Sequence, residues 1–308
     1  MTAKKSGWLF CLITVCYIGA SIALSIGNFA ENIGITGTFI LSEAIIAVPG
    51  FFFMIFAKDK WKDTLGFHKI KIPTVFLAAL YMAFLSPLVV LCNAITLLFA
   101  DNAAADILST VSEISFAGMF FFIGILAPVC EECVFRGILY TGFRKTGTPM
   151  QAILWTAFLF GLFHMNVNQM VYAMMMGIAF GLLREATGSI WAGIIGHVCM
   201  NSYNVLMYYI QTILPTEEIV AAEETLTTDT ILMMIGVFLV ISLFATPIAA
   251  FILWTMAGVE NGKEYLKQVF KDRRKIRVWS FPLWFGIIIC MGLIAMELLV
   301  QILYKNVT

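Results

Sequence analysis

The sequence predicts an all-α fold: a polytopic membrane bundle of about eight to nine transmembrane helices with its N-terminus in the cytoplasm. Three observations predict it. Of the 308 residues, 61% are apolar and only 12% charged, and the mean hydropathy is +0.92, a composition that excludes a water-soluble globule. The apolar residues are gathered into about nine runs, most of them near the roughly 20 residues that a helix needs to cross a bilayer. Charges of opposite sign alternate between those runs, which orients them.

In chain order the runs cover residues 8–27, 39–56, 72–99, 114–135, 149–164, 169–184, 189–211, 230–256 and 280–303. Lys4 and Lys5 precede the first run, which is too long for a signal core and has no small-residue cleavage site; it reads as a membrane helix. The fifth and sixth runs are short, about 16 residues each, and short spans are tolerated only inside a bundle, so eight crossings stay open beside nine. Gly147 and Pro149 mark the turn into the fifth. Lysine and arginine cluster before the first run, at residues 58–71, from Arg136 to Lys145, at Arg184 and at residues 263–277. The other connections hold acids: Glu31; Asp101, Asp106 and Glu113; Glu217, Glu218, Glu223, Glu224 and Asp229. Positive charge stays inside, so the C-terminus is expected outside.

Residues 257–279 read as a short cytoplasmic helix, and residues 58–71 as an interfacial stretch with Trp61 and Phe67 toward lipid. No repeat or soluble domain is evident. Residues 1–308 form one integral membrane domain, with a polar-residue-bearing core at about 114–211 between flanking helices of 1–113 and 212–308. The seven cysteines, an odd number within apolar runs, do not suit an extracellular disulfide framework. Nothing in the charge pattern supports nucleic-acid binding, and the oligomeric state is not encoded legibly.

Chemistry concentrates where charge is least expected. Cys130-Glu131-Glu132-Cys133-Val134-Phe135-Arg136-Gly137 closes an apolar run, and an ionisable group within a bilayer costs at least about 2.5–3.5 kcal/mol on insertion scales unless a partner offsets it. On a helix Glu132 and Arg136 share a face and can pair, while Glu131 points about 100° away. Two of the three histidines also fall in apolar runs: His164 closes Phe160-Gly161-Leu162-Phe163-His164, and His197 stands four residues before Asn201. Pro128 is expected to kink the helix ahead of the carboxylates and free backbone carbonyls. Cys130 and Cys133 read as buried thiols rather than a redox or zinc pair. Gly177 and Gly181 form a GxxxG packing face that, with Gly188, Gly193 and Gly196, needs no functional role.

Three stretches, E-E-x-x-x-R at Glu131 to Arg136, F-x-x-x-H at Phe160 to His164 and H-x-x-x-N at His197 to Asn201, resemble the signature of the CAAX protease and bacteriocin-processing family of intramembrane proteases, type II CAAX prenyl endopeptidases among them. All three occur in the family's order. The resemblance implies hydrolysis of a peptide bond inside the bundle, in a multi-pass protein of a bacterial plasma membrane. It implies as partner, besides the bilayer, a peptide or membrane-associated protein substrate, with or without a lipid group.

Amide hydrolysis needs an activated water, a group that polarises the carbonyl, and an acid for the leaving amine. Glu131 is the favoured general base, with Glu132 held ionised by Arg136. Two roles for the imidazoles stay open. His164 and His197 could ligate Zn²⁺ or another divalent metal; without a metal, His164 helps Glu131 orient the water while His197 and Asn201 hold the oxyanion. At 1.5 Å per residue His164 counts out deeper than Glu131 and His197, so a shared site requires the fifth helix to tilt or to start deep. Two rival functions use the same residues: a non-hydrolytic membrane scaffold or regulator of that family, and a proton-coupled carrier, for which a repeat is lacking.

Overall fold

Each apolar run is a helix, because hydrocarbon leaves the backbone no other way to satisfy its N–H and C=O groups along a single segment. A computed structural model describes residues 1–26, 29–57, 60–102, 114–213, 227–272, 274 and 280–305. Among these, eleven helices follow in order: α1 (Ala3–Ser25), α2 (Phe29–Ala57), α3 (Trp61–Leu65), α4 (Ile72–Thr96), α5 (Phe116–Thr146), α6 (Pro149–Phe163), α7 (Val167–Thr187), α8 (Ile190–Ile213), α9 (Thr228–Val259), α10 (Lys263–Lys271) and α11 (Phe281–Lys305). No strand occurs among the described residues.

The helix starts follow local chemistry. Thr148 accepts the Gln151 N–H ahead of α6, with Pro149 in the first turn, and Asn166 accepts the Gln169 N–H ahead of α7; each satisfies a donor that the helix itself cannot. α2 breaks at Gly34, whose φ of 65° suits glycine.

α1, α2, α4, α5, α9 and α11 contain spans long and apolar enough to cross a membrane, which makes this a multi-pass integral membrane protein. α6 is apolar but only 15 residues long, about 22 Å. α7 and α8 have the length, with 21 and 24 residues; Asn168, Gln169, Arg184 and Glu185 on one, and His197, Asn201 and Ser202 on the other, dilute their hydropathy. α6 and α8 carry His164, His197 and Asn201, while the candidate carboxylates and Arg136 lie on α5.

α6 and α7 form an antiparallel hairpin, α4 lies along α9, α1 lies between α2 and α11, and α8 contacts α4, α7 and the first half of α5. Lipid tails are as apolar as leucine, so van der Waals fit holds the helices together. Gly161 faces the α7 backbone at Met174, Gly196 faces Met82, and Gly286 faces Phe10. The large apolar side chains of α9, including Met233, Val237, Leu243, Phe244 and Phe251, face outward, as a lipid-facing surface does.

Three expectations change. α5 does not end at residue 135 but runs on to Thr146, because its basic end is packed: Arg144 Nε donates to Glu185 Oε1 at 2.8 Å, and Tyr140 donates to the same oxygen. The sixth run is a 21-residue helix rather than a short one. Phe67 packs on Trp191, with ring centroids 5.1 Å apart, instead of facing lipid, whereas Trp61 stacks on Phe51 and stays exposed. A helix does form between residues 257 and 279, as α10. Lys58, Asp106, Glu113, Glu217, Glu218, Glu223 and Glu224 lie outside the described residues.

Candidate active site

The central helix α5 alternates between two pitches. Phe120–Leu126 and Cys133–Leu139 are π-helical, and the α-helical turn Ala127–Glu132 between them carries both carboxylates. Such wide turns recur at functional sites. The first follows from Pro128. Ala127 N–H bonds to Phe122 O, five residues back, so the next bond in that register would run from residue 128 to Ile123 O, and proline has no N–H to give. Asn201 Nδ2 of α8 donates to Ile123 O at 3.1 Å, and Ser202 Oγ to Gly124 O at 3.4 Å. Gly124 permits this approach, since a Cβ there would lie 2.8 Å from Ser202 Oγ. The carbonyls freed by Pro128 are thus capped by α8.

Beyond the bend the two carboxylates diverge. Glu132 is fully buried and Arg136 Nη1 lies 2.9 Å from its Oε1. The guanidinium nitrogens make no aligned hydrogen bond among the described residues; the cation lies 4.2 Å over the Phe160 ring and 5.2 Å over that of Phe180, a cation–π sandwich that a planar guanidinium suits. Glu131 keeps 15% of its side-chain surface exposed, so of the pair it alone reaches an accessible volume.

His197 bridges the two. Its Nδ1 is 3.4 Å from Glu132 Oε1 and its Nε2 3.6 Å from Glu131 Oε2, and its ring stacks on Phe180 with centroids 4.6 Å apart. These separations exceed ordinary hydrogen bonds, as catalytic contacts often do before substrate arrives. Asn201, one turn on, shares the His197 face and has one amide N–H committed to Ile123.

His164 caps α6, where the chain reverses through Met165 at φ 56° into α7. Its ring folds back so that Nδ1 donates to Phe160 O at 2.8 Å; in the neutral ring that leaves Nε2 as an acceptor. The Phe160 ring meets His164 edge-on at 4.9 Å and His197 edge-on at 5.9 Å, so the imidazoles are no farther apart than those two separations combined. The backward lean of side chains on a helix turns the His164 ring toward Phe160, which it shares with His197. Glu131, Glu132, Arg136, His164, His197 and Asn201 therefore form one contiguous group, with Phe160 as its hub.

Three further residues belong to it. Glu43 lies on α2, which runs parallel to α5: Phe39 stacks on Phe122 with centroids 6.5 Å apart, and Gly50 meets Val134 and Ile138. Glu43, between those contacts, is level with the carboxylate turn. It is 8% exposed, its Oε2 has no hydrogen-bond partner among the described residues, and its charge reaches Tyr17, Cys130 and Glu131. A lone acid inside the second apolar run was the available signal. Gly177 and Gly193 have a role beyond helix packing: a Cβ would lie 2.8 Å from Arg136 Nη2 at Gly177 and 2.8 Å from Glu132 Oε2 at Gly193. Gly193→Ala is accordingly expected to destabilise the fold by about 1–3 kcal/mol through overpacking, read as a lower melting temperature, whereas Gly188→Ala, with open space around it, disturbs only its own positive φ.

All seven cysteines are free thiols, Cys130 and Cys133 among them. No three His, Cys, Asp or Glu side chains among the described residues converge as a metal-ligand set, and both ring nitrogens of His197 are turned to carboxylates.

Comparison with known proteins bears on the same stretch. Residues 113–203 match the family model described as "Type II CAAX prenyl endopeptidase Rce1-like". A Bacillus subtilis (strain 168) protein named "Putative membrane peptidase YdiL" is 30% identical over 83 residues, which is 27% of this chain and 34% of that protein. The match thus spans about a third of that relative's length. No solved structure matches the chain.

Proposed function

With its motif-bearing core in the CAAX protease and bacteriocin-processing family, we propose that this chain is an intramembrane endopeptidase that hydrolyses a peptide bond with a water activated by Glu131. One observation carries the reading: a single imidazole, His197, stands between two adjacent carboxylates, one buried on a guanidinium and the other partly exposed.

That asymmetry divides the labour. Glu132, fixed by Arg136, accepts from His197 Nδ1–H and so sets the tautomer whose free Nε2 faces Glu131 and accepts from that carboxyl once it has taken a proton. The attacking water sits between Glu131, which takes one proton, and His164 Nε2, which holds the other O–H. As the water oxygen adds to the carbonyl carbon, the second N–H of the Asn201 amide stabilises the oxyanion. The C–N bond then breaks while Glu131 returns its proton to the leaving nitrogen, which balances the reaction without a cofactor. Helices that exclude bulk water strengthen each of these interactions. The substrate is a peptide or a membrane-associated protein in the plasma membrane of a bacterium, and a lipid group on it would lie in the bilayer beside the site.

Purified protein in lipid nanodiscs, mixed with prenylated and unprenylated peptides, tests this. Wild type is expected to cleave and to keep cleaving in a chelator. His197→Ala is expected to lose about 10²–10⁴ in rate, the usual contribution of a positioned acid–base group, while its melting temperature stays near wild type. Cleavage by His197→Ala at the wild-type rate would sink the proposal, and loss of cleavage in the chelator would restore the metal.

A further inference from the structure

A second site lies away from the carboxylates, at the far end of α5. An open cavity of about 320 Å³ is lined by Tyr140, Arg144 and Lys145 of α5, Arg184 and Glu185 of α7, and Tyr265 of α10. Three cations face one acid on its walls. Glu185 is already taken by Arg144 Nε and the Tyr140 hydroxyl; Asp272, whose charge reaches Arg144, is bound by Arg274 through both carboxylate oxygens. Lys145 is exposed and has no partner among the described residues.

Arg184 is the informative member. It is only 9% exposed, yet its Nη1 donates to two carbonyls, Gly66 O at 3.0 Å and Gly188 O at 3.1 Å, and no carboxylate of the described residues lies within ion-pair distance. The helix dipole and the positive-inside bias account for basic residues at the ends of α5 and α7. They do not account for burying a guanidinium with no carboxylate in ion-pair contact, which is costly, beside a cavity that an anion could enter and whose one acid, Glu185, is engaged by Arg144 and Tyr140. Arginine's fork and a mobile lysine are the pairing that phosphate oxygens favour.

We propose that this cavity binds a phosphate group, with Arg184 and Arg144 as its floor and Lys145 closing over it. The position suits the headgroup of an anionic membrane lipid: the helix ends that form the cavity lie where basic residues place the cytoplasmic boundary, and Tyr265 of α10 is exposed on its wall, as an aromatic side chain at a bilayer interface is. The site is independent of the proposed hydrolysis and stands if that reading fails.

Nanodiscs of phosphatidylcholine alone, phosphatidylcholine with phosphatidylglycerol, and phosphatidylcholine with inorganic phosphate in the buffer test it, with lipid retained on the released protein counted by native mass spectrometry and melting temperature read in parallel. Wild type is expected to retain phosphatidylglycerol and to melt higher with it; Lys145→Ser, which leaves every described hydrogen bond intact, is expected to reduce retention about fivefold, the share of one cation at an anionic surface. Arg184→Gln is expected to reduce it further. A melting shift with inorganic phosphate that Lys145→Ser abolishes supports the same site with a soluble source. Equal retention by wild type and Lys145→Ser, with no response to phosphate, overturns the proposal.

Discussion

Glu131→Gln is expected to cut peptide hydrolysis by about 10²–10⁴ while leaving the protein folded, because glutamine keeps the shape of the side chain and removes only its ability to take a proton. Glu131 is 15% exposed and, among the described residues, only the His197 ring lies within ion-pair distance of it, so the amide loses little structure. Glu132→Gln should behave differently: it removes the charge on which Arg136 rests, at the centre of the bundle, and its first effect is a fall in melting temperature. Single-turnover cleavage and thermal melting, measured on both variants, separate the roles. A Glu131→Gln enzyme at the wild-type rate would show that the water is activated elsewhere.

Arg136→Leu carries the largest expected loss of stability, about 3–5 kcal/mol, the cost of leaving one member of a buried ion pair uncompensated. The guanidinium is 1% exposed and is sandwiched between Glu132, Phe160 and Phe180, so nothing replaces it from solvent. Arg136→Lys is not a conservative alternative, because an ammonium cannot lie flat on the Phe160 ring at 4.2 Å. The double variant Arg136→Leu with Glu132→Leu removes both charges and is expected to regain most of the lost stability without regaining activity, since His197 then loses the acceptor that fixes its tautomer. A double variant no more stable than Arg136→Leu would show that packing at residue 136 matters more than its charge; thermal unfolding of the four proteins in one lipid decides.

The helices and the Glu132–Arg136 pair were legible in the sequence because both rest on local patterns. An apolar run of bilayer length is a helix wherever it occurs, and Glu132 with Arg136 at i and i+4 requires only one helix to be recognised. What was not legible depends on contacts between distant residues. Glu43 stands 88 positions before Glu131, and its place beside the carboxylates follows from the parallel register of α2 and α5. Gly193 reads as a packing glycine until Glu132 is seen 2.8 Å from where its Cβ would be. α5 runs past residue 135 because Glu185, from another helix, satisfies its basic end. The count of crossings was obscured for a related reason, since polar residues that contact other helices lower the hydropathy of α7 and α8.

The bend in α5 is completed by donors on α8, 78 residues farther along the chain. During synthesis, therefore, the helix bearing Glu131 enters the bilayer before the residues that close its backbone have been made. Its final pitch waits for α8 to insert and dock, as does the arrival of His197. A nascent chain released before that point carries the acid but not the geometry, so the hydrolysis proposed for this site would begin only once the third motif has been translated.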